Sequence, residues 1–209
     1  QKSLLLARYK VLDAGWKGGP SLKILCGGEA LTRELADRLV ECGETWNLYG
    51  PTETTVWSST HRINVGEEAA IVPLGRPIAN AGFYIVDERM RLVPIGVAGE
   101  LLIGGAGVSR GYFNRRELTA ERFVADPFSK IGGERLYRTG DRVRWNEAGQ
   151  LEYLGRLDHQ VKIRGHRIET GEIEAVLAEH TQVRQAVVMA QADAGGRHQL
   201  VAWVVTEPG

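Results

Sequence analysis

The chain has 209 residues, enough for one large domain or two small ones, and 43% of them are hydrophobic, which is ordinary for a globular protein with a buried core. Lysine plus arginine and aspartate plus glutamate each number 26, so the charge balance excludes a general attraction to nucleic acid or to a membrane surface. No apolar run reaches the ~20 residues of a membrane-spanning helix, and no secretory leader is recognisable. We therefore expect a cytoplasmic protein that binds any anionic partner at a local site.

The cysteines and histidines do not follow a metal-ligand pattern. Cys26 lies in a strand-like apolar run and Cys42 in a helix-like one, which favours reduced, buried thiols. The histidines share no ligand spacing, so exposed or hydrogen-bonded side chains are favoured over a metal site. They are His61, His159, His166, His180 and His198.

Residues 1–65 combine strand and helix signals. An apolar run at residues 21–26 is closed by two glycines, and residues 31–40 repeat apolar side chains at helical spacing before Gly43. Residues 45–49 have the composition of the next strand, and residues 54–63 are rich in β-forming residues. This order predicts an open α/β layer.

Residues 66–157 have a different texture, with short alternating runs broken by glycine, proline or asparagine and one helical insert near residues 118–123. Many short strands with this punctuation favour a β-barrel-like or sandwich-like subdomain. The predicted strands are residues 83–86, 91–93, 100–103, 136–138, 143–145 and 151–153.

The last part of the chain, residues 158–209, predicts a small α+β unit. Its elements are a strand at residues 161–164, a helix at 172–179 that starts at Thr170, and two strands at 183–190 and 199–205 around a glycine turn. The glycine-containing stretch 155–158 is the expected boundary between the two domains.

The heptapeptide NLYGPTE, residues 47–53, places an aromatic ring, a hydroxyl and a carboxylate directly after a strand. Ligands bind at strand ends in α/β sheets because side chains and backbone amides converge there. The Thr52 hydroxyl and the Glu53 carboxylate could serve phosphate oxygens and Mg²⁺. A Gly-Pro turn with solvated polar residues is the alternative.

Two further stretches contain glycine at a strand end. In YRTGD, residues 137–141, Asp141 is placed to accept hydrogen bonds from ribose hydroxyls, although a plain turn is the alternative. The loop GGAGVSRG, residues 104–111, has neither the Lys-Ser/Thr end of a P-loop nor the spacing GxGxxG. We interpret this loop as structural.

The stretch GRLDHQVKIRGHRIETGEIE, residues 155–174, holds more charge and glycine than packing requires. A strand would send Lys162 and Arg164 to one face, where they could meet an anion. Phosphate chemistry and an RNA-binding patch both fit this cationic cluster.

In order and spacing, NLYGPTE, GELLIGGAGVSRGY (residues 99–112), YRTGD and the stretch 155–174 closely resemble successive core motifs of nonribosomal peptide synthetase adenylation domains. The resemblance covers nearly the whole chain. It implies an α/β plus α+β fold: the C-terminal part of the large adenylate-forming domain (1–65 α/β layer, 66–157 distorted β-barrel), then the start of a small α+β lid domain (158–209).

In that family, an amino acid carboxylate attacks the α-phosphorus of ATP·Mg, and the aminoacyl-AMP passes to a phosphopantetheine thiol on a carrier domain. The resemblance implies that Tyr49 stacks on adenine, Tyr153 covers it, Asp141 binds the ribose, and Arg156 reaches the ribose and phosphate side. The nucleotide-binding residues so implied are Gly28, Glu29, Ala30, Asn47, Tyr49, Asp141, Tyr153 and Arg156. The catalytic residues so implied are Thr52, Glu53, Arg156 and Lys162. Thr52 contacts phosphate, Glu53 holds Mg²⁺, and Lys162 is presented to the site in the second half-reaction. Asp158 is the hinge about which the small domain rotates.

Five positions match the amino acid pocket of the family. A tryptophan among small and aliphatic side chains leaves little room and no polar group, so the resemblance implies glycine as substrate, with alanine or another small residue next. These positions are Leu25, Gly27, Leu48, Val56 and Trp57.

Several family features are expected outside these residues. The phosphate loop and the amine-binding aspartate would precede residue 1, and an Asn-Gly-Lys lysine would follow Gly209, so we expect a piece of a longer synthetase, with condensation and carrier domains as partners, that is inactive alone. Smaller departures are Arg142 and Thr170, where leucine is usual, and threonine still suits a helix start. The alternatives are an acyl- or aryl-CoA ligase of the same superfamily and a noncatalytic nucleotide-binding fragment.

Overall fold

The computed structural model of the chain describes residues 3–5, 10–19, 21–130, 132–158, 160–163, 166–192 and 198–206. Its residues divide into two compact units, Gln1–Leu157 and Asp158–Gly209. In the described residues, the first unit contains two five-stranded sheets, and the second contains two strand pairs and a helix.

The first sheet starts with three parallel strands and ends with two antiparallel ones. Parallel neighbours need crossover connections, which helices α1 (Lys10–Asp13) and α2 (Arg33–Val40) provide. In sheet order, the strands are β1 (Ser3–Leu5), β2 (Lys23–Gly27), β3 (Glu44–Tyr49), β4 (Ser59–Arg62) and β5 (Arg76–Pro77).

Helix α2 covers one face of this sheet. The Thr32 hydroxyl accepts a hydrogen bond from the backbone N–H of Leu35 at 3.4 Å, which caps the first turn. Leu35, Ala36 and Leu39 are buried and pack in one core cluster with Ile24 of β2. The helical period of the sequence therefore produces the core of the α/β layer.

The second sheet is antiparallel and follows the path β10-β9-β7-β6, with β8 paired to β9. Its inner side chains include Ile85, Leu101, Ile103 and Val143, which form one apolar cluster with Tyr49 of β3. Its strands are β6 (Ala81–Val86), β7 (Gly99–Gly105), β8 (Phe123–Ala125), β9 (Arg135–Trp145) and β10 (Leu151–Arg156).

Residues 72–75, here named the crossing segment, lie between β4 and β5, are buried, and bridge the two sheets through hydrogen bonds. Their backbone groups bond to the backbone of Leu31, the side chains of Asn47 and Ser59, and the backbone of Leu151 in β10. The shortest distance to each of these partners is 2.8, 2.9, 2.7 and 2.7 Å, respectively. The crossing segment thereby fixes the end of β3 relative to β10.

Two sequence predictions differ from the observed elements. Residues 136–138 and 143–145 belong to one continuous strand, β9, because pairing with β7 and β10 extends the strand through Gly140. Residues 91–93 do not form a strand, and only Leu92 makes an isolated bridge to Val86. The helical insert is α3 (Arg116–Arg122) and ends where β8 begins.

The second unit contains two hairpin-like strand pairs and helix α4 (Thr170–Ala178). The pairs are β11 (Val161–Ile163) with β12 (His166–Ile168), and β13 (Val183–Ala192) with β14 (His198–Thr206). Helix α4 packs on β13, where the Glu174 carboxylate accepts a hydrogen bond from the N–H of Val188 at 2.7 Å. The predicted glycine turn at Gly195 and Gly196, like Arg164 at the end of the predicted strand, lies outside the described residues.

None of the helices described is both long and apolar enough to span a membrane.

Candidate active site

The carboxyl end of β3 and the middle of β9 bring three predicted nucleotide-binding residues together. Tyr49 is buried, and its hydroxyl donates a hydrogen bond to Oδ2 of the buried Asp141. Nη1 of Arg156 in β10 lies 2.8 Å from Oδ1 of the same carboxylate. One carboxylate therefore receives a phenol and a guanidinium from two different sheets.

A β-bulge in β10 determines which side chains face Asp141. Tyr153 pairs with Val143 and Arg156 pairs with Asp141, with a register shift between Tyr153 and Gly155. In a regular strand, residues three apart point to opposite faces of the sheet. The extra residue Leu154 in the bulge cancels this alternation, so Tyr153 and Arg156 point to the same face. Because Val143 and Asp141 are two apart in β9, Tyr153 and Arg156 lie on the same face as Asp141.

The backbone around Asp141 is held by the neighbouring strand. The Thr139 hydroxyl donates to the carbonyl of Leu101 in β7 at 2.7 Å and accepts from the N–H of Asp141 at 2.9 Å. Glu100 accepts from Arg138 at 2.6 Å and from the N–H of Gly140 at 3.3 Å. These contacts preorganise the strand end that presents the carboxylate.

The electrostatics of this cluster keep Tyr49 neutral. Burial, the negative charge of Asp141 and the hydrogen bond to it raise the pKa of Tyr49 well above its ordinary value. Tyr49 is therefore a hydrogen-bond donor at neutral pH. Arg156 provides the positive charge that a buried carboxylate requires.

The predicted metal ligand follows β3 in a 3₁₀ turn, Thr52–Thr54. Glu53 is buried, and its Oε1 accepts a hydrogen bond from the Tyr112 hydroxyl at 2.6 Å, whereas the Thr52 side chain is exposed. Burial, followed by hydrogen bonding to Glu53 and Tyr137, raises the pKa of Tyr112 well above its ordinary value, so this hydroxyl also donates. One turn thus exposes a hydroxyl and fixes a carboxylate.

The donor set at Glu53 fits Mg²⁺ delivered with ATP. Among the residues described, no group of three or more histidine, cysteine, aspartate or glutamate side chains is placed to hold a metal ion. Mg²⁺ in nucleotide sites is commonly held by one or two carboxylates, with phosphates and water completing its shell. The single carboxylate of Glu53 matches that requirement.

Three of the five predicted pocket residues share one face of the first sheet. Gly27 and Leu48 are direct partners across β2 and β3, and Leu25 lies two residues before Gly27, on the face opposite α2. A Cβ at Gly27 would lie 2.7 Å from the carbonyl oxygen of Leu48, so glycine permits this close approach. Val56 and Trp57 follow in the next loop and are 62% and 42% exposed.

The remaining predicted nucleotide contacts lie near this sheet edge. The Asn47 amide is buried and donates to the carbonyl oxygen of Pro73 at 2.9 Å, so it anchors the crossing segment. Gly28, Glu29 and Ala30 follow β2, where Gly28 has a φ of +88° that suits glycine. Contact of these residues with adenine stays a prediction.

Two predicted residues lie in the second unit. The boundary between the units falls immediately before Asp158, the predicted hinge residue. Lys162 is in strand β11, and its side chain lies outside the part of the chain that is described. Their proposed roles stay predictions.

Three further residues, Tyr112, Thr139 and Glu100, belong to the site but were not predicted from the sequence. Tyr112 and Glu100 lie within the motif at residues 99–112, and Thr139 lies within YRTGD, so their polar side chains in these motifs were the signal that could have identified them. Their contacts join residues 38 to 59 apart in sequence, a separation that no local pattern encodes.

The comparison with known protein families agrees with this geometry. Residues 6–113, more than half of the chain, match the family model of the AMP-binding enzymes. The chain belongs to this family. Within the AMP-binding enzymes, it is 51% identical over 188 residues to a dimodular nonribosomal peptide synthase of Bacillus subtilis (strain 168) and 50% identical over 198 residues to tyrocidine synthase 3 of Brevibacillus parabrevis.

These alignments cover 89% and 93% of the chain but only 8% and 3% of the two relatives. The chain therefore spans a small part of the length of these synthetases. The predicted resemblance to their adenylation domains is confirmed.

Solved structures of AMP-binding enzymes support the fold. A holo four-domain nonribosomal peptide synthetase bound to AMP and glycine has a TM-score of 0.68 and 47% identity, over 99% of this chain and 16% of that one. The Vibrio cholerae adenylation domain AlmE, in complex with glycyl-adenosine-5′-phosphate, has a TM-score of 0.81 and 32% identity, over 95% and 40%. The predicted fold class, a partial adenylate-forming domain, is confirmed.

Proposed function

We propose that this chain is part of an adenylation domain that activates a small amino acid with ATP for transfer to a carrier-domain thiol. The observation that carries the proposal is the buried cluster of Tyr49, Asp141 and Arg156, which joins three motifs on one carboxylate. A carboxylate in this position can accept ribose hydroxyls, and aromatic rings nearby can cover a base.

In the proposed reaction, the chain's own residues bind and orient ATP. Asp141 accepts the ribose hydroxyls, and Tyr49 and Tyr153, which belong to one apolar cluster, enclose the adenine. Arg156 faces the same site and supplies positive charge on the phosphate side. Orientation of this kind lets the amino acid carboxylate attack the α-phosphorus with release of pyrophosphate.

The turn that contains Thr52 and Glu53 binds the phosphates of ATP and their Mg²⁺ ion. Thr52, which is exposed, contacts a phosphate oxygen, and Glu53 holds Mg²⁺. When bound, the ion neutralises negative charge on the phosphates.

We propose glycine as substrate, with alanine or another small amino acid next. In support, the side chains of Leu48, Val56 and Trp57 at the pocket positions fill space and offer no charged group to a substrate side chain. Two similar solved proteins contain glycine or its adenylate. The finding of glycine there concerns those proteins and favours the same class of substrate here.

The second unit is proposed to rotate about Asp158 between adenylation and thioester formation. Support comes from the boundary before Asp158 and from similar solved proteins that contain adenylation and carrier domains. We further propose that Lys162 acts in the second half-reaction, with a carrier-domain phosphopantetheine as acceptor, and that a condensation domain is a further partner.

We also propose that the full reaction needs more than these 209 residues. The chain corresponds to 40% of the length of the solved AlmE chain, which holds its glycyl adenylate. The tests below therefore use the intact protein that carries this chain.

The decisive test is amino-acid-dependent exchange of pyrophosphate into ATP. We expect exchange with glycine to exceed exchange with bulky or charged amino acids, and we expect Asp141→Asn to weaken ATP binding about tenfold or more, because a charge-assisted hydrogen bond contributes roughly 1.5–3 kcal/mol. Asp87→Asn, in the surface turn after β6, is the control. Exchange driven only by acyl or aryl acids would instead favour a CoA ligase, and no exchange would favour a noncatalytic module.

A further inference from the structure

The loop at residues 105–112 contacts the turn that contains Glu53. The N–H of Ser109 donates to the Glu53 carbonyl at 2.8 Å, and the Thr55 hydroxyl donates to the Gly107 carbonyl at 2.7 Å. Tyr112 then reaches the Glu53 side chain at 2.6 Å. Three bonds therefore fix both the backbone and the carboxylate of one turn.

Close packing joins the same two segments. A Cβ at Gly107 would lie 2.8 Å from the carbonyl oxygen of Thr54, a contact that real side chains essentially never make. The turn itself departs from ordinary backbone, since Thr55 and Val56 have φ values of +63° and +68°. Left-handed backbone at two consecutive non-glycine residues persists only where the surroundings hold it.

The orientation of Tyr112 is set from its other side. Its ring packs edge-on against Phe123 of β8, with centroids 5.5 Å apart, and Phe123 in turn packs against the fully buried Tyr137 at 5.2 Å. The ring therefore has a fixed position, and its hydroxyl is directed at Oε1 of Glu53. Phenylalanine would keep this packing and remove only the hydroxyl.

We propose that Tyr112 is a positioning residue for Glu53 and that the loop at residues 105–112 is part of the ATP·Mg site. This inference rests on the proposed function. A carboxylate that binds an ion must keep one orientation, and a hydrogen bond to its second oxygen provides it. Loss of such an outer contact weakens metal binding about tenfold or more.

The test is Tyr112→Phe in the intact protein, with the Mg²⁺ concentration as the variable. We expect the Mg²⁺ concentration for half-maximal pyrophosphate exchange to rise about tenfold, with a smaller change at saturating Mg²⁺. A readout independent of turnover is the Mg²⁺ concentration that half-maximally raises the melting temperature of the ATP-bound protein, and it should rise by the same factor. Tyr84→Phe is the matched control, because the Tyr84 ring also stacks on a phenylalanine, Phe128.

A double-mutant cycle shows whether Tyr112 acts through Glu53. In a Glu53→Gln background, Tyr112→Phe should change the Mg²⁺ dependence by less than twofold, since the carboxylate it orients is gone. An unchanged Mg²⁺ dependence in the single variant, or equal effects in both backgrounds, would overturn the inference. Absence of exchange in the unaltered protein would instead contradict the proposed function.

Discussion

At the scale of single residues, the carboxylates of Asp141 and Glu67 each have several hydrogen-bonding or charged partners. Asp141 has Tyr49 and Arg156, and the Glu67 carboxylate provides a second example outside the nucleotide site. Oε2 of Glu67 lies 3.1 Å from Nε2 of the buried His61 and 3.2 Å from Nη1 of Arg33. Partners of this kind allow a charge to remain in a partly buried site.

The Glu67 network predicts a pH-dependent stability. Burial alone would raise the pKa of Glu67, but hydrogen bonds from His61 and Asn64 outweigh it and lower the pKa below its ordinary 4.5. A lowered pKa in the folded protein stabilises it above about pH 4.5, and this contribution is lost as the pH falls through the folded value. Glu67→Gln should therefore lower the free energy of unfolding at pH 7 by about 1–2 kcal/mol.

Urea unfolding of the protein at several pH values measures this effect. The difference between Glu67→Gln and the unaltered protein should shrink below pH 4.5. Glu88→Gln changes an exposed carboxylate after β6 and serves as the control. A difference that stays constant from pH 7 to pH 4 would contradict the linkage.

At the scale of elements, the site depends on where strands bulge, cross and pair. The β10 bulge turns Tyr153 and Arg156 to one face, and the crossing segment binds both β10 and the end of β3. Gly75 of the crossing segment has a φ of +82°, and a Cβ there would lie 2.0 Å from the carbonyl oxygen of Thr60. This approach is possible only without a side chain.

Alanine substitutions at two glycines distinguish the cost of a positive φ angle from the cost of a steric clash with neighbouring atoms. Gly75→Ala should destabilise the protein by about 3 kcal/mol or more, since both the φ value and the contact with Thr60 are unfavourable. Gly66 has a similar φ of +85° but open space around a Cβ, so Gly66→Ala should lose only about 1 kcal/mol. Thermal or urea unfolding of the two variants compares them, and equal losses would show that the contact has no energetic effect.

Much of the element pattern was predictable because it is local. Apolar periodicity located α2, and short β-forming runs located β2, β3, β7 and β10 to within a few residues. The continuity of β9 was not predictable, since glycine at position 140 normally interrupts a strand and only pairing with β7 and β10 overrides it. The motifs predicted that Asp141, Tyr49 and Arg156 have related roles, whereas their common carboxylate contact depends on a register shift that the sequence does not mark.

At the scale of the whole molecule, the chain consists of two units with a boundary between Leu157 and Asp158. The motif residues that bind one carboxylate all lie in the first unit, and Asp158 and Lys162 lie in the second. In the proposed function, the first unit therefore binds the nucleotide, and the second unit rotates between adenylation and thioester formation.

A substitution at the boundary should separate these half-reactions. Asp158→Pro restricts the φ angle of this residue, so rotation should be hindered while the first unit stays intact. We expect pyrophosphate exchange to stay within about threefold of the unaltered protein, and loading of the carrier-domain thiol to fall at least about tenfold. Asp158→Ala keeps backbone freedom and is the control; equal losses of both half-reactions in Asp158→Pro would contradict the hinge proposal.

The crossing segment has a consequence for recombining such synthetases. Its four residues take hydrogen bonds from, or give them to, partners in sequence as distant as Leu31 and Leu151. A chimera joined between the α/β layer and the antiparallel sheet would pair one parent's segment with the other parent's Asn47, Ser59 or Leu151. Exchange points are therefore better placed beyond residue 157. The crossing segment and all of its hydrogen-bond partners then come from a single parent.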